Sequence, residues 1–345
     1  MNLHRRTALA TQLLDKPAVG EQVTQLFYSH HPEWERRFGE VGRRRCEEDT
    51  QLHLSYLAGA VQAGEPSVFV DYARWCAAML NARGMETGHL LEHLEILQEQ
   101  LSFNKEECSF IGRFFSATQS ALLQPPTSTG EESQQQPTPV QLAYLAAILA
   151  GDRRRAWDVV TDAIDDGLTV ADAYRDILIW AQKRLGTLWM KAEITVASEH
   201  MASAVTQSVI ARLYPMITGG RGRGTVLLGG LEGEMHVLPA HFVADLLELQ
   251  GWDVIFLGTH VPAKDFLATI ETERPDVVAL SVTIPAYLPR TVRLIEEIRK
   301  RHPGLPIVLG GRGAQGAESL SSELDIAVDP AGTLDLFTQF SQEAY

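Results

Sequence analysis

A glutamate and a histidine, one residue apart, stand between a short apolar run and a helical pattern. Glu234 and His236 belong to the segment 231–239, which follows the apolar run 225–230 and precedes a helix expected from about Ala240. A carboxylate can hold one ring nitrogen of a histidine and leave the other free to bind a metal. Ligands of open α/β sheets bind at loops that follow strands. The pair therefore predicts a metal-binding imidazole at a sheet edge.

Residues 225–345 alternate strand and helix patterns. Strands are predicted at 226–229, 253–257, 277–282, 307–310 and 326–328, and helices at 240–250, 264–273, 287–302, 314–322 and 333–343. Such alternation is typical of a parallel sheet covered on both faces. We predict a doubly wound, flavodoxin-like α/β domain.

Two of the predicted strands end in residues that could line a ligand slot. Ser281-Val282-Thr283 ends the third strand, and Gly310-Gly311 ends the fourth. Small residues leave room beside the sheet, hydroxyls supply hydrogen bonds, and paired glycines let a bulky ligand approach the backbone. We expect both to share the sheet edge of His236.

The rest of the chain divides at two segments. Residues 124–139 are rich in Pro, Ser, Thr and Gln and predict a linker, and the glycine-rich run 218–224 marks a second break. Helices predicted at 140–151, 153–166, 170–190 and 196–214 indicate a four-helix bundle over 140–217. The all-α N-terminal domain, 1–123, is aromatic, with amphipathic patterns at 50–63, 68–81, 90–101 and 110–123.

Composition excludes several classes of protein. The chain has 345 residues and a net charge of −14, which argues against a broad basic face for direct nucleic-acid binding. A membrane span needs a run of about 18 apolar residues, which the sequence lacks. The first residues have no apolar core of a signal peptide, and the cysteines have no metal spacing. We expect a cytoplasmic protein.

Glu-x-His, Ser-x-Thr and Gly-Gly at these places resemble the cobalamin (vitamin B12) binding domain. The usual family pattern is Asp-x-His-x-x-Gly, then Ser-x-Thr or Ser-x-Leu, then Gly-Gly. The resemblance implies base-off, His-on binding, with His236 as the lower axial ligand of cobalt. Glu234 preserves the chemistry of the usual Asp, whereas Pro239 replaces the last Gly at the entry to the helix. The other residues implied to contact cobalamin are Met235, Val237, Leu238, Ser281, Thr283, Gly310 and Gly311.

The predicted bundle resembles the cap of methionine synthases and corrinoid methyltransferase proteins. Trp189, followed after nine residues by Glu199-His200, is similar to the cap of adenosylcobalamin-based light receptors that repress carotenoid genes. The resemblance implies that Trp189 covers the adenosyl group and Glu199 bonds the adenosine, while Val196 and His200 line the same space. Met190 stands where those receptors often have a second histidine, which leaves His200 as the candidate upper ligand.

The N-terminal helical segments 43–57 and 69–75 are similar to those of photocobilins, a subfamily of B12 photoreceptors that combine cobalamin with biliverdin. A bilin requires aromatic walls, a carboxylate or histidine near the pyrrole nitrogens and arginines for the propionates. Tyr72 and Trp75 equally fit the core stripe of an ordinary helix. The candidate bilin residues are Arg45, Asp49, His53, Tyr56, Tyr72 and Trp75.

Three functions remain open. The first is a light sensor, not an enzyme, with adenosylcobalamin and biliverdin as chromophores, a homo-oligomer whose state changes with light and that can act on a separate protein partner. The second is a corrinoid methyl carrier of a methyltransferase system. The third is a light-insensitive B12-sensing regulator. Trp189 and the Glu199-His200 pair favour the first over the second.

Overall fold

The computed structural model describes residues 1–124, 136–217, 222–329 and 334–340. The chain divides into two compact units, one formed by 1–127 with 282–331 and the other by 128–281 with 332–345. Most of the predicted linker and part of the predicted glycine-rich break lie outside the described residues.

The N-terminal part of the first unit is helical, as predicted. Its helices are α1 (Leu3–Leu14), α2 (Pro17–His30), α3 (Pro32–Ala63), α4 (Pro66–Asn81), α5 (Thr87–Gln100) and α6 (Lys105–Leu122). Proline opens α2, α3 and α4, where its fixed φ suits the first helical position. The amphipathic patterns predicted α4 to α6 and the second half of α3. They did not locate α1, α2 or the first half of α3. The first half of α3 is rich in Arg and Glu and carries little apolar periodicity.

The second unit begins with the predicted helical bundle. Its helical segments are α7 (Pro139–Leu149), α8 (Arg153–Asp165), α9 (Val170–Asp172), a π-helical stretch (Ala173–Ile179), α10 (Trp180–Met190) and α11 (Val196–Leu213). Thr195 caps α11 by accepting from the Ser198 N–H, as expected for an N-cap threonine. The predicted helix 170–190 forms, but its second and third turns are π-helical, a rare conformation found at functional sites.

A five-stranded sheet follows, with the order β2-β1-β3-β4-β5. The strands are β1 (Thr225–Gly229), β2 (Asp253–Phe256), β3 (Val277–Ser281), β4 (Ile307–Gly310) and β5 (Ala327–Asp329). The helices are α12 (Val237–Leu249), α13 (Ala263–Glu273), α14 (Leu288–Arg301) and α15 (Ser319–Leu324). β1 runs parallel to both β2 and β3. This is the flavodoxin-like order, as predicted, and its switch point lies between β1 and β3.

Two helix predictions near the C-terminus differ from the structure in the residues that it describes. The predicted helix 314–322 is a 3-10 turn at Arg312–Ala314 followed by the short α15. The predicted helix 333–343 is a 3-10 helix at Asp335–Phe340, and residues 330–333 and 341–345 lie outside the described residues. The stretch 314–322 has few apolar residues at helical spacing, so local turn geometry decides its conformation.

Within the first unit, the N-terminal helices pack on the segment 282–331. The guanidinium of Arg6, buried among these elements, donates to the carboxylate of Glu323 and to the carbonyl of Gln62. The Ser319 hydroxyl donates to the Ala63 carbonyl at 2.8 Å. The last two turns of α3 are buried, so the N-terminal helices and this half of the α/β domain share a core.

Among the described residues, none of the helices combines the length and the apolar character that crossing a membrane requires.

Candidate functional site

His236 is held by Glu234 in a defined orientation. Glu234 Oε1 accepts from His236 Nδ1 at 2.7 Å and from the His236 backbone N–H at 3.0 Å. The Glu234 side chain is 1% exposed, whereas the His236 side chain is 48% exposed. Because a carboxylate only accepts, Nδ1 carries the ring hydrogen. The lone pair of Nε2 is therefore left for a ligand, which is the form in which imidazole binds a metal.

The loop that carries His236 is tied to the loop after β2. The Val261 N–H donates to the Gly230 carbonyl at 3.1 Å, and the Gly233 N–H donates to His260 Nδ1 at 3.0 Å. Gly233 has a φ of +93°, a conformation that a residue without Cβ adopts at little cost. These bonds fix the backbone on which the Glu234–His236 pair is mounted.

Helix α12 starts at Val237, earlier than the sequence pattern suggested, and His236 is its N-cap residue. Pro239 lies in the first turn of the helix, where a missing N–H costs no intrahelical hydrogen bond. The replacement of the family's glycine by proline is therefore accommodated.

Gly230 and Ser281 lie at the same sheet edge as the Glu234–His236 pair. A Cβ on Gly230 would lie 3.1 Å from Glu234 Cγ and 3.3 Å from the Ser281 carbonyl oxygen. Ser281 itself is buried at the end of β3, the neighbour of β1. Glu234, His236 and Ser281 thus lie at the switch point of the sheet, where doubly wound domains bind ligands.

In the first unit, Thr283 and the paired glycines lie on connected strand ends. The Val282 N–H donates to the Gly310 carbonyl at 2.9 Å. Gly311 has a φ of +95°, and a Cβ there would lie 2.5 Å from the Val282 carbonyl oxygen. Only glycine fits this position, because any side chain would collide with the Val282 backbone. Gly311 therefore lets the segments after β3 and β4 pack directly against each other.

The predicted upper-face residues lie on α10 and α11. Trp189 is half-buried near the end of α10, while Val196 and His200 are exposed one turn apart on α11. Glu199 accepts from the Ser203 hydroxyl at 2.7 Å and from His200 Nδ1. Exposed apolar side chains such as Val196 gain from being covered by a ligand.

The predicted residues of the loop after β1 differ in how far a ligand could reach them. Met235 is 71% exposed and Val237 is half-buried. Leu238 is only 8% exposed and belongs to the core of the α/β domain, so its role is to anchor the loop.

The predicted bilin residues gather on α3 and α4. His53 Nδ1 and the Tyr72 hydroxyl are hydrogen-bonded at 2.6 Å, and both side chains are buried. Tyr56 stacks on Tyr72 with ring centroids 3.7 Å apart, and the Trp75 ring lies 6.2 Å from the Tyr72 ring at an interplanar angle of 30°. Burial keeps the pKa of His53 well below its ordinary value, so this imidazole is neutral at neutral pH.

Arg45 and Asp49 lie at the surface of α3, one turn apart. Although Asp49 is accessible, the surrounding protein desolvates its carboxyl, and with the nearby Glu48 charge this raises the pKa to about 6, against the lowering effect of Arg45. A carboxyl with this pKa exchanges protons near neutrality.

Among the buried polar pairs that sequence reasoning missed are Tyr174 with Asp245 and His93 with Thr50. The Tyr174 hydroxyl on the π-helical stretch donates to Asp245 Oδ2 on α12 at 2.6 Å, and Asp245 is 2% exposed. On α5, His93 Nε2 lies 3.0 Å from the Thr50 hydroxyl. The signals were a lone Asp within the apolar run 242–247 and a lone His between Leu90 and Leu97.

The family comparisons agree with this geometry. Residues 224–333 match the model of the B12 binding domain, and residues 140–214 match a second model with the same description. One protein ligand at the sheet edge is what cobalt in a corrin needs, because the ring supplies its own nitrogen ligands. The fold and the Glu234–His236 pair therefore define a cobalamin-binding protein.

Relatives fall into two groups. A corrinoid protein of Desulfitobacterium hafniense is 23% identical over 202 residues, which are 54% of this chain and 94% of that protein. The HTH-type transcriptional repressors CarA and CarH of Myxococcus xanthus are 30% and 29% identical, over 46% and 54% of this chain. The alignments span 54% of CarA and 62% of CarH.

Proposed function

We propose that this cobalamin-binding protein is a light sensor that binds adenosylcobalamin base-off, with His236 as the lower ligand of cobalt. The observation that carries the proposal is the buried Glu234 carboxylate, which turns a half-exposed imidazole so that Nε2 is available. Ser281, Thr283, Gly310 and Gly311 then receive the displaced nucleotide tail.

The upper face argues for the adenosyl form. The spacing of Trp189, Glu199 and His200 resembles that of the adenosylcobalamin light receptors, and Val196 lies one turn before His200 on the same helix. A flat indole suits stacking on adenine and shields a metal–carbon bond from water. Glu199 can accept hydrogen bonds from adenosine, and Val196 gains from apolar cover, since 53% of its surface is exposed.

Adenosylcobalamin supplies a cobalt–carbon bond that visible light cleaves. The chain's own residues hold the ligand, exclude water from its upper face and respond to the loss of the adenosyl group. Trp189 and His200 then lose a packing partner, and α10 and α11 repack. The adenosyl group, which is present only before illumination, would favour one of the two packing arrangements of α10 and α11.

The proposed output is a change of subunit association in a homo-oligomer, passed on to a separate protein partner. No catalytic residue is assigned, because the residues described serve to bind and position. The cytoplasm is the proposed location, since free cysteines persist in a reducing compartment.

We propose biliverdin as a second chromophore, held by the α3–α4 face that carries Arg45, Asp49, Tyr56 and Trp75. The stacked rings offer aromatic walls, and the arginine suits a propionate. His53 and Tyr72 satisfy each other in the core, so their role is to support this face from behind. A protein-bound far-red band after addition of biliverdin tests this part separately.

A corrinoid methyl carrier is the second candidate. The observation that favours it is the alignment with the Desulfitobacterium corrinoid protein, which spans 94% of that protein. A methyl carrier must expose its upper cobalt face to a methyltransferase, whereas Trp189 and the Glu199-His200 pair suit a larger, enclosed group.

The decisive experiment loads the full chain with adenosylcobalamin in darkness and then illuminates it. We expect a spectral change together with a shift in oligomer size measured by light scattering. The hydroxocobalamin-loaded protein is the control, because it lacks the light-sensitive bond. A complex stable to light indicates a light-insensitive regulator, and tighter binding of methylcobalamin than of adenosylcobalamin indicates a methyl carrier.

A further inference from the structure

A chain of hydrogen-bonded side chains runs from the core of the helical bundle to Glu199. The Tyr144 hydroxyl on α7 donates to Thr206 Oγ1 on α11 at 3.1 Å, and both side chains are fully buried. Gln182 Nε2 on α10 donates to the same Thr206 oxygen at 2.9 Å. The Ser203 hydroxyl lies 3.1 Å from Gln182 Oε1 and 2.7 Å from Glu199 Oε1. Three helices of the bundle are thereby joined to one carboxylate.

The buried end of this chain has a fixed direction. Burial raises the pKa of the Tyr144 phenol, so the phenol keeps its hydrogen and donates to Thr206. The Thr206 hydroxyl has one hydrogen of its own, which lies within reach of the Ala202 carbonyl at 3.2 Å or can turn towards Gln182.

Two orientations of the Gln182 amide fit these positions, because its oxygen and nitrogen ends are nearly the same size. With nitrogen towards Thr206, the single hydrogen of Ser203 faces two acceptors, on Gln182 and Glu199. With nitrogen towards Ser203, each group donates to the next and the last donor ends on the Glu199 carboxylate. The orientation of Gln182 is therefore tied to whether Glu199 takes the Ser203 hydrogen.

Both oxygens of Glu199 are held before any ligand arrives. Ser203 bonds Oε1, and His200 Nδ1 bonds Oε2. The Glu199 side chain remains 28% exposed, so it can still accept from a ligand. A carboxylate held in one orientation binds a donor with less loss of conformational entropy.

We infer that Ser203 and Gln182 are positioning residues that act through Glu199 and set the preference for adenosyl over a small alkyl group on the upper face. The inference rests on the proposed function. Adenosine presents hydroxyl and amine donors that a fixed carboxylate can accept, whereas a methyl group presents none. Tyr144 and Thr206 extend this support into the core.

The test compares the affinities of the full chain for adenosylcobalamin and methylcobalamin in darkness. Ser203→Ala should lower the ratio of the two affinities about tenfold, the effect of one hydrogen bond to a charged group, and leave methylcobalamin binding unchanged. Gln182→Met should shift the ratio: downwards if the Gln182 nitrogen faces Ser203, because a donor to that hydroxyl is lost, and upwards if the nitrogen faces Thr206, because a rival acceptor of the Ser203 hydrogen is lost. Ser203→Thr should keep the ratio of the parent, because threonine retains the hydroxyl. Thr161→Ala is the control, since that hydroxyl donates to carbonyls of its own helix.

A double-mutant cycle separates positioning from general packing. In a Glu199→Ala background, Ser203→Ala should leave the ratio unchanged, because the residue through which it acts is gone. If the parent discriminates between the two cobalamins and Ser203→Ala and Gln182→Met keep its ratio, the inference is overturned. If the parent itself shows no preference for adenosylcobalamin, the proposed function fails instead.

Discussion

Gly59 lies directly against the backbone of Pro285. A Cβ added at Gly59 would stand 2.1 Å from the Pro285 carbonyl oxygen and 3.1 Å from the Ala286 backbone nitrogen. Gly59 is buried in α3, and Pro285 opens the 3-10 turn that follows Ser281-Val282-Thr283. The helix that carries the proposed bilin face therefore touches the loop that follows the predicted nucleotide-tail residues.

Gly59→Ala should destabilise the protein. Overpacking of this kind typically costs about 1–3 kcal/mol, while alanine gains about 1 kcal/mol over glycine inside a helix. The contact is with backbone, which cannot turn aside as a side chain can. The difference of the two effects is a net loss of up to about 2 kcal/mol in the free energy of unfolding, measured by chemical denaturation.

The matched control for this substitution is Gly112→Ala in α6. The nearest atom to a Cβ at Gly112 is a Gln98 side-chain nitrogen at 4.0 Å, so helix propensity alone should act and raise stability. Equal changes in the two variants would show that the Gly59–Pro285 contact imposes no constraint.

The Gly59 contact illustrates what the sequence could and could not predict. Apolar periodicity predicted the strands to within a residue or two and the flavodoxin-like class, because every strand is bounded by turns and helices of ordinary spacing. It could not predict that α3 packs on the loop at Pro285, since docking between distant segments depends on shape. The sequence shows a glycine at position 59, but it does not show that Pro285 is the residue packed against it.

The candidate site likewise has features that the sequence could predict and features that it could not. Glu234 and His236 were predictable because their spacing lets one side chain bond the other. Asp245 was not, because its partner Tyr174 lies 71 positions away and neither residue belongs to a recognisable motif. The π-helical stretch that presents Tyr174 has no sequence signature of its own.

Glu234→Gln should weaken cobalt ligation without removing the ligand. Glutamine keeps an acceptor for His236 Nδ1 but removes the negative charge of the partner that orients the imidazole for the metal. Losing such a supporting partner typically lowers metal affinity about 10–100-fold. We expect weaker binding of adenosylcobalamin and a partial return of the base-on absorption spectrum.

His236→Ala should abolish the His-on spectrum altogether. His4→Ala, at an exposed position on α1, is the control and should leave the spectrum as it is. An unchanged spectrum in His236→Ala would remove the assignment of His236 as the cobalt ligand.

Tyr174→Phe should destabilise the second unit by about 1–3 kcal/mol, because it leaves a buried carboxylate without its closest donor. Desolvation raises the pKa of Asp245, so the loss should shrink at acidic pH as the carboxyl is protonated. A double-mutant cycle with Asp245→Asn measures the coupling by denaturation.

Tyr214→Phe is the control, because its hydroxyl is 3.5 Å from Glu248 and the residue is 52% exposed. Similar effects of both phenylalanines would show that the Tyr174–Asp245 bond contributes nothing specific.

The buried histidine of α5 should make stability depend on pH. Thr50 donates to the Cys46 carbonyl at 2.8 Å, so its oxygen accepts from His93 Nε2–H at 3.0 Å. Burial lowers the pKa of His93 from 6.5 to about 4. Between these two values the unfolded chain binds a proton that the folded protein does not. The contribution of His93 is therefore complete above pH 6.5 and is lost as the pH falls towards 4.

Between its folded and unfolded pKa values, each buried neutral histidine makes the free energy of unfolding rise by about 1.4 kcal/mol per pH unit. Asp49, whose pKa is raised to about 6, acts in the opposite direction, so the difference between variants is the quantity to measure. His93→Gln should flatten the rise of the unfolding free energy with pH relative to the parent, while His4→Gln should not. A parent and a His93→Gln variant with parallel pH profiles would show that folding does not lower the pKa of His93, because a group that binds its proton equally in both states gives no slope.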